Sequence, residues 1–195
     1  MALVAHALIT LQTAKDFIGG ISGSADDSRL ELFINMATEY IETYCDRRFK
    51  QTTYTDEVIS GAGSNELVLR NWPVIGSVTL GKRNVVDNEE SWDAVDADDF
   101  WIDEEGGTVT GVTVFRKGTD NYRVTYSGGY ATIPYDLQYA CASIVAQFWN
   151  RKQANGLKSE SLGDHSVTFD VGAGGSNIPA EVEAILDKYR NIPIG

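Results

Sequence analysis

The sequence predicts an α+β fold in which a helical bundle core of about four helices carries an antiparallel β domain inserted between helices two and three. Three observations predict it. Apolar residues recur at spacings of three and four over 26–49 and again over 134–152. From Thr52 to Tyr126, Val, Thr, Tyr and Trp gather instead in short runs cut by glycine and proline. The 195 residues are enough to bury a core and hold one large domain or a domain with an insertion.

In chain order, Thr10 is the expected N-cap of a short helix that ends at Gly19-Gly20, with Leu11, Ala14 and Ile18 on one face. Asp26, Asp27 and Ser28 supply the cap and first-turn charge of a second helix, whose stripe is Leu30, Phe33, Ile34, Ala37, Ile41 and Tyr44. Glu31, Glu39 and Glu42 are expected elsewhere on its surface, and Asp46-Arg47-Arg48 places basic charge at the negative end of the helix dipole. The strand-like runs are TTYTDEVIS, ELVLR, VIGSVTL, FWI, TVTGVTVF and YRVTYS. The last of these breaks at Ser127-Gly128-Gly129, where positive φ is accessible to glycine.

Pro134 then opens the third helix, with stripe residues Leu137, Ala140, Cys141, Ile144, Val145 and Phe148. After an Asn155-Gly156 turn, alternation from Ser166 to Val171 predicts a strand or hairpin arm, and Gly172 to Ser176 reads as a linker. Pro179 opens a last helix with a narrow stripe of Val182, Ile185, Leu186 and Tyr189, too short to persist alone in water. The expected divisions are 1–50 for the N-terminal helices, 51–127 for the β domain, 128–171 for the long helix and hairpin, and 172–195 for the linker and terminal helix.

Formal net charge is −12, and ten of the 28 acidic residues fall between Asp87 and Glu105 with no base among them, leaving 18 acids against 16 bases elsewhere. No basic stripe exists to displace counterions from nucleic acid, so tight DNA binding is not expected. No apolar run approaches the roughly 20 residues of a membrane span, and the apolar start has no basic region or cleavage site. Cys45 and Cys141 lie on apolar-periodic helices and read as buried free thiols.

No catalytic constellation, metal site or cofactor motif emerges. His6 and His165 lack ligand-spaced partners, and the neighbours Asp164-His165-Ser166 cannot form a triad among themselves. A calcium loop begun at Asp96 puts Phe100 at the fifth position and Gly107 at the twelfth, so only irregular binding by Asp96, Asp98, Asp99 and Asp103 stands beside a solvated acidic face. Trp72, Trp92 and Trp101 suggest either sheet packing or a sugar platform, which leaves a carbohydrate-binding β module as the alternative reading.

Five stretches together carry a family resemblance: LITLQTAKDFIGG from Leu8, DDSRLELFINMATEYIETYCDRRF from Asp26, the strand-turn-helix YRVTYSGGYATIPYDLQYACASIVAQFWNRK from Tyr122, and the closing LKSESLGDHSVTF and IPAEVEAILDKYR. Their order resembles the head-tail connector (adaptor) proteins of long-tailed bacteriophages, at both ends of the chain and weakly over 51–121. The resemblance implies a structural virion protein of the neck and not an enzyme. It implies a ring of about a dozen copies under the portal protein, contact with a neck, stopper or tail component below, and DNA passing through without specific binding.

It also implies that the C-terminal segment docks into the portal; Val182, Ile185, Leu186, Tyr189 and Ile192 are the expected contacts, unless the helix rests on its own bundle. Asp96, Asp98, Asp99 and Asp103 would form a channel-facing or outward acidic surface. The long β region departs from compact, nearly all-helical members.

Overall fold

The computed structural model describes residues 2–87, 89–154, 159–162, 165–168 and 178–191, with residues 152–154, 159–162 and 165–168 described by their backbone alone. The chain is α+β, with four helices and antiparallel sheets among the described residues. It divides into two compact units, residues 1–45 with 133–190 and residues 46–132 with 191–195.

The helical unit holds α1 (Leu11–Ile18), α2 (Asp27–Cys45), α3 (Tyr135–Ala154) and α4 (Ala180–Asp187). Thr10 caps α1 as expected, its hydroxyl accepting the Thr13 N–H at 3.1 Å, and the chain leaves the helix at Gly19. α1 packs on α2 and α3, and α4 on the same two helices. Leu30, Ile34, Ala37, Ile41 and Cys45 of α2 meet Leu137, Ala140, Cys141, Ile144, Val145 and Trp149 of α3 in a buried seam. Each large apolar side chain enclosed there contributes about 1.5–3 kcal/mol. Cys45 and Cys141 are free and buried, and burial pushes the Cys141 thiol up to about 12. Beyond α3, Ser159–Leu162 and His165–Thr168 pair antiparallel as a hairpin. The expected Asn155-Gly156 turn and the linker from Gly172 to Ser176 lie outside the described residues.

The β unit contains a four-stranded sheet and a three-stranded sheet. Its strands are β1 (Thr52–Gly61), β2 (Glu66–Val68), β3 (Val74–Val86), β4 (Glu89–Ala94), β5 (Phe100–Asp103), β6 (Thr108–Gly111) and β7 (Gly118–Gly128). The larger sheet runs β1-β7-β3-β4 and the smaller β2-β6-β5. β7 is central because it alternates cleanly: Tyr122, Val124 and Tyr126 are buried among Leu67, Leu69, Val74, Leu80 and Val109. Gly128 and Gly129 end it for steric reasons, since a Cβ on Gly128 would lie 1.9 Å from the Asn71 carbonyl oxygen and Gly129 has φ of +100°.

Two sequence expectations are corrected here. The segment Glu89–Ala94 is a strand, held at the sheet edge by pairing with Gly81–Val86, although its acidic composition gave no alternation. Arg47 is not a surface charge completing α2. It is buried in the β unit, its guanidinium 3.5 Å from the Trp72 ring centre and 5.0 Å from that of Phe49.

Candidate interaction surfaces

A helix of eight residues needs a support, and α4 finds one on α2 and α3. Val182 and Leu186 are fully buried there. Tyrosines flank them and donate to the helix's acidic face: Tyr139 to Glu181 at 2.8 Å and Tyr44 to Asp187 at 2.7 Å. Just past the helix, Tyr189 donates to both carboxylate oxygens of Asp136, at 2.8 and 2.9 Å. The hydrogen bond to Asp187 raises the Tyr44 pKa, while burial and then Glu183 raise that of Tyr40. The five expected docking positions therefore divide. Val182 and Leu186 are committed to the chain's own helical unit, Ile185 and Tyr189 are half-buried, and Ile192 lies outside the described residues. The apolar stripe was legible; the surface it rests on was not.

The acidic window occupies β4, a single 3₁₀ turn at Ala97–Asp99, and β5. Several of its carboxylates have local structural tasks. Asp96 accepts the Asp98 N–H at 3.1 Å and so caps the turn, and Asp103 accepts the Gly106 N–H at 3.1 Å. Across the β3–β4 ladder Arg83 pairs with Glu90 at 3.1 Å, and the Asn84 amide donates to Asp93 at 3.0 Å. Asp98 and Asp99 are exposed, and neither makes an ion pair among the described residues. The four aspartates Asp96, Asp98, Asp99 and Asp103 do not bring three donor atoms together, so the irregular calcium scheme has no geometry behind it among the described residues.

The three tryptophans form no shared platform of open ring faces. Arg47 covers Trp72, the Arg123 guanidinium lies 5.1 Å from the Trp92 ring centre, and Trp101 on β5 is the exposed one. A cleft of about 390 Å³ in the β unit is lined by Asp46, Glu57, Glu66, Arg70 and Asp120, a mixed polar surface. On the helical unit, Leu32, Met36 and Tyr40 lie one turn apart along α2 and are exposed despite their apolar character.

One constellation escaped the sequence reading. Glu42, expected on the surface, is buried, and with Glu39 it faces His6: His6 Nε2 lies 2.8 Å from Glu39 Oε1 and 3.5 Å from Glu42 Oε2. Among the described residues this is the group of three whose donor atoms all lie within 4.8 Å of one another. His6 and Glu39 are 33 positions apart, so no local motif announces them; the Glu39-x-x-Glu42 spacing on one helical face was the available signal.

The head completion protein family profile matches residues 7–192. No curated protein matches the chain. Among solved structures, a chain in the neck of an empty GTA particle computed with C6 symmetry superposes with a TM-score of 0.63 at 15% identity, covering 100% of this chain and 95% of that one. A chain in the neck of a native GTA particle computed with C12 symmetry gives 0.59 at 15% identity, and one in the virion of the native gene transfer agent particle gives 0.56 at 16%, with the same coverage. At such identities these chains share the fold.

Proposed function

The chain belongs to the head completion protein family, and from that premise we propose how it serves the junction between head and tail. It is a structural virion protein of the head-tail connector (adaptor) class, placed in the neck between the DNA-filled head and the tail. The observation that carries this reading is the reach of the family match, which runs through both compact units rather than one.

The finer reading is a ring of copies beneath the portal protein that continues the genome channel and receives a neck, stopper or tail component below. Particles whose necks were computed with sixfold and twelvefold symmetry contain chains of this fold, which supports a ring. Ring building also requires apolar surface outside the core, and Leu32, Met36 and Tyr40 offer it on α2. The β unit, whose strands lie between α2 and α3 in sequence, is read as an insertion that widens the ring or meets another neck or capsid component.

Docking to the portal is proposed with α4 seated: Val182 and Leu186 hold the helix, while Ile185, Tyr189 and the following Ile192 meet the partner. Asp98 and Asp99, with Asp96 and Asp103 beside them, are proposed to face the channel, where negative charge keeps DNA from adhering. A structural family supports a non-catalytic role. Two tryptophan faces occupied by arginines weigh against the carbohydrate reading.

The test is co-sedimentation with the portal ring of the same virus. Truncation before α4 would remove two core side chains, so the informative variant is the double substitution Ile185→Glu with Ile192→Glu, checked for fold by circular dichroism. The wild-type chain is expected to pellet with the ring and the variant to remain in solution. If both bind, the docking residues are wrong and the connector reading stands; if folded wild-type protein does not bind, the portal is not its partner.

A further inference from the structure

We propose that His6, Glu39 and Glu42 bind one divalent transition-metal cation of the zinc class, which fastens the N-terminal segment to α2. The donor set is one imidazole nitrogen and two carboxylates, the hard-to-borderline mixture that suits Zn²⁺ and its neighbours. Glu39 and Glu42 are three residues apart on α2 and so present on one face, and the three donor atoms lie within 4.8 Å of one another.

The two distances from His6 fit with a small adjustment, and the Glu39 and Glu42 oxygens lie within 4.8 Å of each other. Ligands about 2.0–2.2 Å from a tetrahedral ion lie about 3.4 Å from each other. His6 Nε2 is already 3.5 Å from Glu42 Oε2, whereas its 2.8 Å approach to Glu39 Oε1 is a hydrogen bond that must open by roughly half an ångström. Glu39 can make that move, since its side chain is half exposed at 51%.

Burial limits competition from water for the Glu42 oxygens. The Glu42 side chain is only 3% exposed, and a carboxylate withdrawn from water is held best by a cation with direct contacts. His6 ligates metal in its neutral form through an unprotonated ring nitrogen, and the two carboxylates supply oxygen donors. Partial exposure of His6 and Glu39 leaves an entry path and room for water as the fourth ligand. Calcium, which takes six to eight oxygens, is poorly served by three donors of which one is nitrogen.

The surroundings pre-position the histidine. The Asn35 side chain accepts the Val4 N–H at 3.0 Å and donates to the Ala2 carbonyl at 3.1 Å, and Thr38 Oγ1 accepts the Leu8 N–H at 3.3 Å. His6 thus sits midway along a strap already laid on α2, and the ion would close its centre.

The experiment is calorimetric titration of the metal-stripped full-length protein with ZnCl₂, alongside His6→Ala, Glu39→Gln and Glu42→Gln. Wild-type protein is expected to take up one Zn²⁺ per chain and to gain thermal stability from it, with MgCl₂ and CaCl₂ giving neither. Each variant should bind more weakly by more than the roughly 10–100-fold that loss of a mere supporting group costs. Glu39→Gln alters an exposed side chain and keeps the comparison valid even if a change at buried Glu42 disturbs folding. Absence of zinc uptake by folded wild-type protein overturns the proposal. So does unchanged uptake in folded Glu39→Gln and His6→Ala, which would place the zinc elsewhere.

Discussion

Carboxylates in the helical unit and the exposed aspartates around the 3₁₀ turn of the β unit are the same groups put to different uses. In the helical unit they join elements: Glu181 and Asp187 of α4 accept from tyrosines of α3 and α2, Asp136 of α3 accepts from Tyr189, and Glu39 and Glu42 hold His6. In the acidic window of the β unit, Glu90 and Asp93 tie β4 to β3, but Asp96 and Asp103 cap their own turns, and the Asp98 and Asp99 side chains stand in solvent with no ion pair among the described residues. A formal charge of −12 therefore has two components. One is part of how the helical unit closes, and the other is surface charge that the β unit does not need in order to fold.

The comparison breaks most clearly if the closure of α4 on the bundle proves unimportant. Leu186→Ala removes a fully buried side chain from the seam with α2 and α3 and is expected to destabilise the helical unit by about 2–5 kcal/mol. Chemical denaturation followed by far-ultraviolet circular dichroism measures it. A loss below about 1 kcal/mol would mean that α4 is only loosely held and is available to a partner along its whole stripe.

A second consequence concerns alkaline pH. The buried Cys141 thiol is raised from its ordinary 9.0 to about 12, so the folded state holds its proton more tightly than the unfolded chain does. Its contribution is fully present below about pH 9 and is lost as pH climbs from there toward 12, at about 1.4 kcal/mol for each unit of pKa difference. Stability of wild-type protein should therefore fall over that window more steeply than stability of Cys141→Ala. A thiol-specific reagent at pH 8 should label Cys141 only when the helical unit opens.

A smaller effect sharpens the role of the tyrosines. Tyr189→Phe deletes the hydroxyl that donates to Asp136 and keeps the ring, for an expected loss of about 1 kcal/mol in the same denaturation experiment. No change would reduce that contact to a surface pairing and leave α4 attached through Val182, Leu186 and the hydrogen bonds from Tyr44 and Tyr139.

How much of this was readable depends on whether a residue's role is set by its neighbours in sequence. α1, α2 and α3 were legible because burial of one face imposes a period, and Tyr122, Val124 and Tyr126 marked the central strand by alternation. β4 was hidden because an edge strand is held by backbone pairing and polar side-chain contacts, so Glu89 to Ala94 needs no apolar alternation. The run TVTGVTVF read as one strand, yet pairing stops at Gly111, where a Cβ would lie 2.7 Å from the Thr113 carbonyl oxygen. Arg47 and Glu42 were misplaced, and the partners of His6 missed, for a common reason: each is defined by residues far along the chain, and charge alone argues for the surface.

The least change in stability is expected where the functional change is most directly measured. Asp98→Asn with Asp99→Asn removes two exposed charges while Asp96 keeps its cap on the 3₁₀ turn, and the effect on unfolding should stay within about 0.5 kcal/mol. If these groups line the channel, assembled particles carrying the pair should eject DNA more slowly at low salt, and added salt should narrow the difference as screening removes the repulsion that the wild type retains. Equal ejection rates at low salt would assign the window to an outward, solvated face. A stability loss above about 1 kcal/mol would undo the comparison itself, because it would show the β unit using these carboxylates as the helical unit uses its own.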